Sequence, residues 1–283
     1  MIPAAVVDWL ESHGYGKIRS QQPVGGGCIN DGTRLETESG TSFFLKTNSA
    51  APADMFASEA EGLAELRKAN GPRLPYAYLW DAEFILLEDL KPTQRATDYW
   101  ESLGRQLAQL HQTSNQKFGF SADNYLGTTR QPNPWTVDGH EFFAEHRLGF
   151  QVRLARDNGR LTHSEASEIN RLANRLDQLV PPQPASLIHG DLWGGNAISD
   201  ERGQPAIIDP AAHYGWAEAE LGMTGLFGGF PKTFYTTYVE TRTLDIGWAD
   251  RLPFYNLYHL LNHLNLFGGG YHNQVMQIAK RFS

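Results

Sequence analysis

The 283-residue sequence contains a single cysteine, Cys28, which excludes a disulfide within the chain and favours a reducing, cytoplasmic compartment. Positive charge is also scarce: 24 Lys and Arg stand against 32 Asp and Glu, and the net charge of -8 argues against a general nucleic-acid-binding protein. No stretch approaches the roughly 20 apolar residues of a membrane span. The opening MIPAAVVDWLESHG lacks the basic segment of a secretory signal. These absences predict a globular cytoplasmic protein that binds neither nucleic acid nor membrane.

The spacing of apolar residues divides the chain into two parts of different character. Within residues 1–90, segments 34–37, 42–47 and 84–87 are typical of strands, and residues 54–69 are predicted to form a helix capped by Asp54. Residues 91–283 favour helices, including 142–156 and 164–180. The pattern breaks at residues 88–92. The sequence therefore predicts an α+β fold with a β-rich part over 1–90, a hinge near 88–92 and a mainly helical part over 91–283.

Residues 187–210, LIHGDLWGGNAISDERGQPAIIDP, concentrate carboxylates and glycines between two apolar runs. Asp191 and Asn196 are five positions apart (196 − 191 = 5), which is the spacing of a kinase catalytic loop. In such a loop the aspartate orients the attacking hydroxyl and the asparagine binds magnesium. Asp209 follows the apolar run Ala206–Ile208, where a metal-binding aspartate is expected. The segment thus predicts a catalytic base at Asp191 and magnesium ligands at Asn196 and Asp209.

Phosphoryl transfer from ATP also needs groups that hold the phosphates, and the N-terminal part offers candidates. One is a run of three glycines, which is also typical of a plain turn: Gly25, Gly26 and Gly27. Lys46 ends an apolar strand beneath this run. At roughly 100° per residue, Glu59 lies near the apolar stripe of the predicted helix, while Glu61 and Glu65 point away. An inward-facing carboxylate is costly unless it is paired, so Glu59 is the predicted partner of Lys46.

The chain resembles the fructosamine kinase (ketosamine-3-kinase) family over nearly its whole length. The resemblance rests on the motifs LIHGDLWGGN, GGGCINDG, FFLKTN, MFASEAEGL, IIDPAAHYGWAEAELGM and FGGFP. The resemblance implies a two-lobed protein-kinase-like fold, with a small antiparallel β-rich N-terminal lobe and a larger mainly helical C-terminal lobe. It implies ATP and magnesium as cofactors and phosphorylation of the 3-hydroxyl of ketosamines, free or on protein lysines. It also implies a hinge whose backbone reads adenine, at Glu88, Asp89 and Leu90. Cys28 could then join two chains into a homodimer.

The acceptor side is less closely defined by the sequence. Four side chains are candidate acceptor contacts, although for the aromatic ones core packing is an equal alternative: His189, Trp193, Tyr214 and Trp216. Two positions depart from the family pattern: Gly194 stands where serine is usual, and Trp216 where histidine is frequent. A bulky indole at position 216 is expected to narrow the acceptor pocket. Glu218 and Glu220 could attract a cationic amine, or they could simply cap or solvate a helix.

Two classes of function remain open, an active kinase and a pseudokinase that serves as an interaction module. The enzyme is favoured because every predicted catalytic part is present: Lys46, Glu59, Asp191, Asn196 and Asp209. Within enzymes, the alternative acceptor is another hydroxylated amine, aminoglycoside-like or choline-like. His259 and His263 are four positions apart and could face a metal together. Their segment lacks the glutamate of a zinc-hydrolase helix, so packing or hydrogen bonding is predicted for both.

Overall fold

The N-terminal region is built on an antiparallel sheet of five strands. The structure is a computed structural model that describes residues 2–25 and 30–282, so the predictions for Gly26, Gly27 and Cys28 lie outside the described residues. The strands in chain order are β1 (Ile18–Val24), β2 (Asp31–Thr37), β3 (Ser42–Thr47), β4 (Ala77–Asp81) and β5 (Phe84–Glu88). Their order in the sheet is β1-β2-β3-β5-β4. The three predicted strand segments are confirmed as all or part of β2, β3 and β5.

The side chains of β3 and β5 point alternately to the two faces of the sheet, and both faces are buried. Side chains at successive strand positions point to opposite faces. Phe43 and Leu45 of β3 therefore join one apolar cluster with Val6 and Leu10 of a first helix, α1 (Ala4–Ser12). On the other face, Ile85 of β5 belongs to the main core together with a second helix, α2 (Met55–Leu66). Lys46 follows Leu45 and so points to the face that α2 covers.

Helix α2 differs from its prediction at both ends. It begins at Met55 and ends at Leu66, three residues before the predicted end. Asp54 occupies the N-cap position, but its side chain makes no hydrogen bond to the helix. Its carboxylate accepts a hydrogen bond from the hydroxyl of Tyr125 instead. The prediction that Asp54 caps the helix through its side chain is therefore wrong, because a contact from a distant segment takes that carboxylate.

The C-terminal region is mainly helical. Its helices are α3 (Tyr99–Leu110), α4 (Gly139–Phe143), α5 (Phe150–Asp157), α6 (His163–Ala173), α7 (Leu176–Leu179), α8 (Ala217–Leu226), α9 (Lys232–Thr241), α10 (Trp248–Phe267) and α11 (His272–Phe282). A π-helical stretch, Ala144–Gly149, joins α4 to α5, so the prediction of a helix over 142–156 is confirmed. The predicted helix over 164–180 is interrupted between α6 and α7. Within the described ranges, none of the helices combines the length and apolar character that crossing a bilayer requires.

Short strands place two loops side by side, one carrying Asp191 and Asn196 and the other carrying Asp209; these are called here the two functional loops. These strands are β6 (Ser114–Asn115), β7 (Asn124–Leu126), β8 (Thr129–Gln131), β9 (Ala185–Ile188), β10 (Ala197–Ser199), β11 (Pro205–Ile207) and β12 (His213–Gly215). β9 pairs with β12 and β10 pairs with β11, both antiparallel. The loop from β9 to β10 therefore lies against the loop from β11 to β12. Ile208 N donates to Asn196 O at 3.1 Å, and Ala211 N donates to His189 O at 2.9 Å.

The structure has the two-lobed, protein-kinase-like α+β architecture that the resemblance implies. The N-terminal sheet ends with β5 at Glu88, and the next helix begins only at Tyr99. Lys91, in this connection, has a φ of 49°, a left-handed backbone conformation. A lobe boundary at residues 88–92 stays a prediction.

Candidate active site

A cleft of about 760 Å³ lies between the sheet and the helical region. Its volume is in the range typical of small-molecule sites. Nine of the residues predicted for catalysis, nucleotide binding or metal binding line it: Gly25, Lys46, Glu59, Glu88, Asp89, Leu90, Asp191, Asn196 and Asp209. These residues come from segments up to 184 positions apart (209 − 25 = 184), so the fold brings them together. Trp193 also lines the cleft.

Lys46 forms a buried ion pair with Glu59, the partner predicted from helical periodicity. Lys46 Nζ lies 2.6 Å from Glu59 Oε1, and it also contacts Asp209 Oδ1. Burial alone would lower the pKa of Lys46, but the carboxylates of Asp209 and Glu59 outweigh burial and raise this pKa. Glu61 is engaged elsewhere, because its carboxylate accepts a hydrogen bond from Ser121. The lysine therefore carries its charge at neutral pH and lies between the helix and the Asp209 loop.

Asp191 and Asn196 contact each other across the loop that follows β9. Asn196 Nδ2 donates to the backbone oxygen of Asp191 at 2.8 Å and approaches Asp191 Oδ2 at 3.4 Å. Burial raises the pKa of Asp191 well above its ordinary value, and the negative charges of Asp209 and Glu220 add to this effect. The site thus holds more negative charge than its one lysine neutralises, and a cation would relieve this imbalance.

The donor atoms at Asn196 and Asp209 suit magnesium. Asp209 offers a carboxylate that is 42% exposed. Asn196 uses its amide nitrogen for the contacts to Asp191, so its amide oxygen is the atom that would bind a cation. Over residues 2–25 and 30–282 there is no group of three His, Cys, Asp or Glu that could hold a metal alone. Magnesium is typically held by one or two carboxylates together with substrate phosphates, and these residues fit that arrangement.

Glu220 holds the backbone of the catalytic loop, a function that sequence reasoning missed. Its carboxylate accepts the N–H groups of His189 at 2.7 Å and Gly190 at 2.8 Å, and it lies 3.1 Å from His111 Nε2. Glu218 is equally buried and pairs with Arg251 at 2.7 Å. The suggestion that these two glutamates attract the acceptor is therefore wrong. The apolar sequence around these two glutamates could have indicated that they would be buried. A buried carboxylate needs partners, so both would then have been expected to be hydrogen-bonded or paired.

Gly190, directly before Asp191, can only be glycine in this loop. Its φ is 84°, and a Cβ atom there would lie 2.2 Å from the backbone oxygen of Ala211. The side chain is excluded because the two functional loops approach so closely. At Gly194 a Cβ would meet nothing within 4 Å, so the usual serine would also fit there.

Three of the four candidate acceptor contacts do not reach the cleft. His189 is fully buried, with Nε2 2.9 Å from the backbone oxygen of Ile208. Tyr214 donates its hydroxyl hydrogen to Glu65 Oε1 at 2.8 Å. Trp216 is buried against the rings of Phe143 and other aromatic residues. For Tyr214 and Trp216 the core-packing alternative is confirmed, and Trp216 cannot narrow the cleft by lining it. Only Trp193 lies in the cleft.

Aromatic residues from distant segments line the cleft instead, and the sequence did not indicate them as a group. They include Phe227, His263, Phe267 and Tyr271. The pairing of His259 with His263 on a metal is not formed, because His263 Nδ1 lies 2.8 Å from the backbone oxygen of His259. The prediction of packing or hydrogen bonding for these two histidines is confirmed, since His259 is buried and His263 is hydrogen-bonded. The aromatic-rich end of α10 was the sequence signal that could have indicated this aromatic lining of the cleft.

Replacing Glu220 with glutamine is expected to lower the free energy of unfolding by about 3 kcal/mol, since an amide group would face two backbone donors that need an acceptor. Burial alone would raise the pKa of Glu220, but the hydrogen bonds from His111 and from the His189 backbone lower it. This stabilisation is present above the unfolded-state pKa and lost as pH falls through the folded-state pKa. Urea unfolding at pH 7 and under acidic conditions checks both points.

The exposed Glu240, on α9, provides the matched control for that change. Glu240→Gln should leave the unfolding free energy within about 0.5 kcal/mol of the parent. If both substitutions had equally small effects at pH 7, Glu220 would not be holding the loop.

Comparison with known proteins identifies the family. The family model described as fructosamine kinase matches residues 1–282. A probable ketoamine kinase of Synechocystis sp. is 41% identical, over 94% of this chain and 90% of that protein. The chloroplastic protein-ribulosamine 3-kinase of Oryza sativa subsp. indica is 39% identical, over 95% of this chain and 81% of that protein. A crystal structure from Thermobifida fusca, provisionally assigned as a fructosamine-3-kinase, superposes with a TM-score of 0.89 at 32% identity and covers 98% of both chains. The chain therefore belongs to the fructosamine kinase family.

Proposed function

We propose that this protein transfers the γ-phosphoryl group of ATP to the 3-hydroxyl of a ketosamine, either free or formed on a protein lysine. The observation that carries the proposal is the convergence of the Lys46–Glu59 pair with Asp191, Asn196 and Asp209 in one cleft. The family and the names of the relatives, ketoamine kinase and protein-ribulosamine 3-kinase, indicate the acceptor. The single cysteine supports a reducing, cytoplasmic setting for the reaction.

The nucleotide is assigned to the side of the cleft that the sheet forms. Glu88 N already donates to Tyr76 O at 2.8 Å, so we assign adenine recognition to the backbone of Asp89 and Leu90. The Asp89 side chain is held by Arg34 at 2.8 Å, which fixes this segment. Gly25 would approach the phosphates from above, and Lys46 would bind them as a buried cation.

Asp191 is assigned to orient the acceptor hydroxyl and to take its proton as the new bond forms. That hydroxyl oxygen bonds to the γ-phosphorus, the bond from this phosphorus to the bridging oxygen breaks, and ADP leaves. Magnesium, held by Asn196 and Asp209 with the phosphates, would supply neutralisation of the charge on the phosphoryl oxygens. Lys46, which contacts both Glu59 and Asp209, would provide a second positive charge to the phosphates. Positioning and electrostatics supply most of the rate in this chemistry.

The proposal is tested by a screen for ATP consumption across ketosamines, aminoglycosides and small amino alcohols, with magnesium present. We expect fructosamine or ribulosamine derivatives of lysine to give the highest kcat/KM. A higher kcat/KM with an aminoglycoside or with choline would contradict the ketosamine assignment and leave a kinase of another hydroxylated amine. Nucleotide binding without turnover of any acceptor would support a pseudokinase instead.

Lys46 and Glu59 are expected to act as one unit in a double-mutant cycle. We expect Lys46→Met and Glu59→Gln each to reduce kcat/KM strongly and the double variant to lose little more, because either change already breaks the ion pair. Glu59→Gln should raise the KM for ATP in particular, since Lys46 would then be left with Asp209 alone.

Glu61→Gln is the control for that cycle, because Glu61 lies on the same helix but outside the pair. Its kcat/KM should stay within about twofold of the wild type. Strictly additive losses in the Lys46 and Glu59 cycle would contradict the pairing as a functional unit.

A further inference from the structure

We propose that a continuous set of aromatic side chains in the cleft binds the amine-bearing substituent of the acceptor and selects acceptors by that substituent. This inference rests on the proposed function and assigns one end of the same site. The set, called here the aromatic wall, consists of Trp193, Phe227, His263, Phe267 and Tyr271, all of which line the cleft.

The rings of the aromatic wall form a chain of contacts that begins beside the reacting position. Trp193 is two residues after Asp191, and its ring centroid lies 6.2 Å from that of Phe227. Phe227 lies 4.7 Å from His263. His263 in turn lies 5.4 Å from Phe267 and 5.1 Å from Tyr271. These separations are those of favourable aromatic pairs, so the rings support one another as a surface.

Part of this surface is exposed although it is strongly apolar. Phe267, the last residue of α10, is 55% exposed, and within the described part of the chain its aromatic ring pairs are with His263 and Tyr271, both members of the aromatic wall. Apolar surface gains free energy when a ligand removes it from water. An apolar wall that continues from a predicted catalytic loop fits the part of an acceptor that extends away from the reacting hydroxyl.

The charges in the cleft decide how a cationic amine would be bound there. Among the described residues that line the cleft, the acidic ones other than Asp191 are Glu59, Glu88, Asp89 and Asp209, which we assign to the nucleotide and metal side. Glu218 and Glu220 are buried and take other partners. The secondary ammonium of a ketosamine would therefore meet ring faces, which attract cations. The methylene chain of a lysine can cover further aromatic surface at the same time.

His263 lies in the middle of the aromatic wall and is held in one orientation. Its Nδ1 is 2.8 Å from the backbone oxygen of His259, and a carbonyl oxygen can only accept, so Nδ1 carries the hydrogen. Burial lowers the pKa of His263, which keeps the ring neutral and leaves Nε2 as an acceptor. A neutral ring beside Phe267 and Tyr271 can receive an ammonium group, whereas a charged imidazolium would repel it. His263 is therefore assigned as a specificity-determining residue.

The aromatic wall predicts a preference for long, partly apolar amine substituents. The wild-type protein should phosphorylate the ribulosamine of Nα-acetyl-lysine with a kcat/KM about 10-fold above that of the ribulosamine of glycine, because only the lysine derivative has a methylene chain to cover the aromatic surface. Phe267→Ala and His263→Ala should each raise the KM for the lysine derivative about 5- to 10-fold and leave kcat within about twofold. Phe267→Trp, which keeps an aromatic face, should retain the preference.

Trp80→Ala is the matched control, because Trp80 is 45% exposed but lies outside the cleft. It should leave the ratio of the two kcat/KM values unchanged. Retention of the wild-type ratio by Phe267→Ala and His263→Ala would overturn the assignment of the aromatic wall, and so would equal losses of kcat with both acceptors. Activity of the wild type on neither these ribulosamines nor the corresponding fructosamines would contradict the proposed function, and the assignment of the aromatic wall with it.

Discussion

Replacing Asp191 with asparagine is expected to lower kcat by about 10²–10⁴-fold and to leave the binding of magnesium-ATP nearly intact. The amide cannot accept the proton of the acceptor hydroxyl, but it preserves the size of the side chain. Asp191 is assigned to the acceptor and not to the metal, so nucleotide affinity should change little. Rapid-mixing assays of a single turnover, combined with calorimetric titration of ATP, separate the two quantities. Near-normal turnover would show that Asp191 is not the base.

The same variant should fold at least as stably as the parent protein at neutral pH. Burial and the charges of Asp209 and Glu220 raise the pKa of Asp191, so its ionised form disfavours the folded state. The stability that such a group contributes is complete below the unfolded-state pKa and is lost as pH rises through the folded-state pKa. Asparagine has no charge to bury, so its advantage should appear at neutral pH and vanish in acid. Thermal unfolding without nucleotide or metal, at both conditions, measures this difference.

Replacing Asp209 with alanine is expected to abolish productive binding of magnesium-ATP. Substitution of a residue that only orients a metal ligand already lowers metal affinity or activity by about 10–100-fold. Asp209 is assigned as a ligand itself, so its loss should have a larger effect. The change also removes one of the two carboxylates that contact Lys46. Titration of ATP affinity against magnesium concentration gives the measurement. A variant that bound magnesium-ATP like the wild type would contradict the assignment of Asp209.

Asp209→Asn separates loss of charge from distortion of the loop. Asp209 has a φ of 59°, a left-handed conformation that asparagine adopts more readily than most residues. This variant should therefore keep a backbone close to that of the parent. Its ATP affinity should still lose most of its dependence on magnesium concentration. If it were fully active while Asp209→Ala was not, the carboxylate charge would not be the feature that matters.

The residues proposed for the nucleotide and metal could be found in the sequence because short local patterns mark them. The spacing of Asp191 and Asn196, and the place of Asp209 after an apolar run, need no knowledge of distant contacts. The selection of Glu59 over Glu61 followed from helical periodicity and the cost of an unpaired inward carboxylate. The structure places Glu59 at 2.6 Å from Lys46, in agreement with that argument.

Two strands of the sheet were not predicted, for reasons that lie in their surroundings. β1 has the sequence IRSQQPV, and its residues are exposed or half-buried, so no alternation of apolar and polar residues marks it. β4, at the edge of the sheet, is also mostly exposed. Both strands are stabilised by pairing with a neighbour, which a local pattern does not reveal.

The proposed acceptor side of the cleft could not be predicted because its lining depends on tertiary contacts. Tyr214 lies on the short strand β12, where three residues are too few to show which face is buried. Trp216 precedes α8 and packs into an aromatic core that several helices supply. The aromatic wall joins segments around residues 193, 227 and 263–271, which only the fold places side by side.

The position of the new phosphate is the most direct test of the account. Incubation with ATP, magnesium and the ribulosamine of Nα-acetyl-lysine, followed by two-dimensional proton–phosphorus NMR of the product, identifies the sugar carbon that carries phosphate. We predict a phosphorus signal coupled to the proton on carbon 3 of the sugar, and no such signal with the Asp191→Asn protein over the same time. Phosphate on another hydroxyl, or ATP hydrolysis with an unmodified sugar, would contradict the assignment of this protein as a ketosamine 3-kinase.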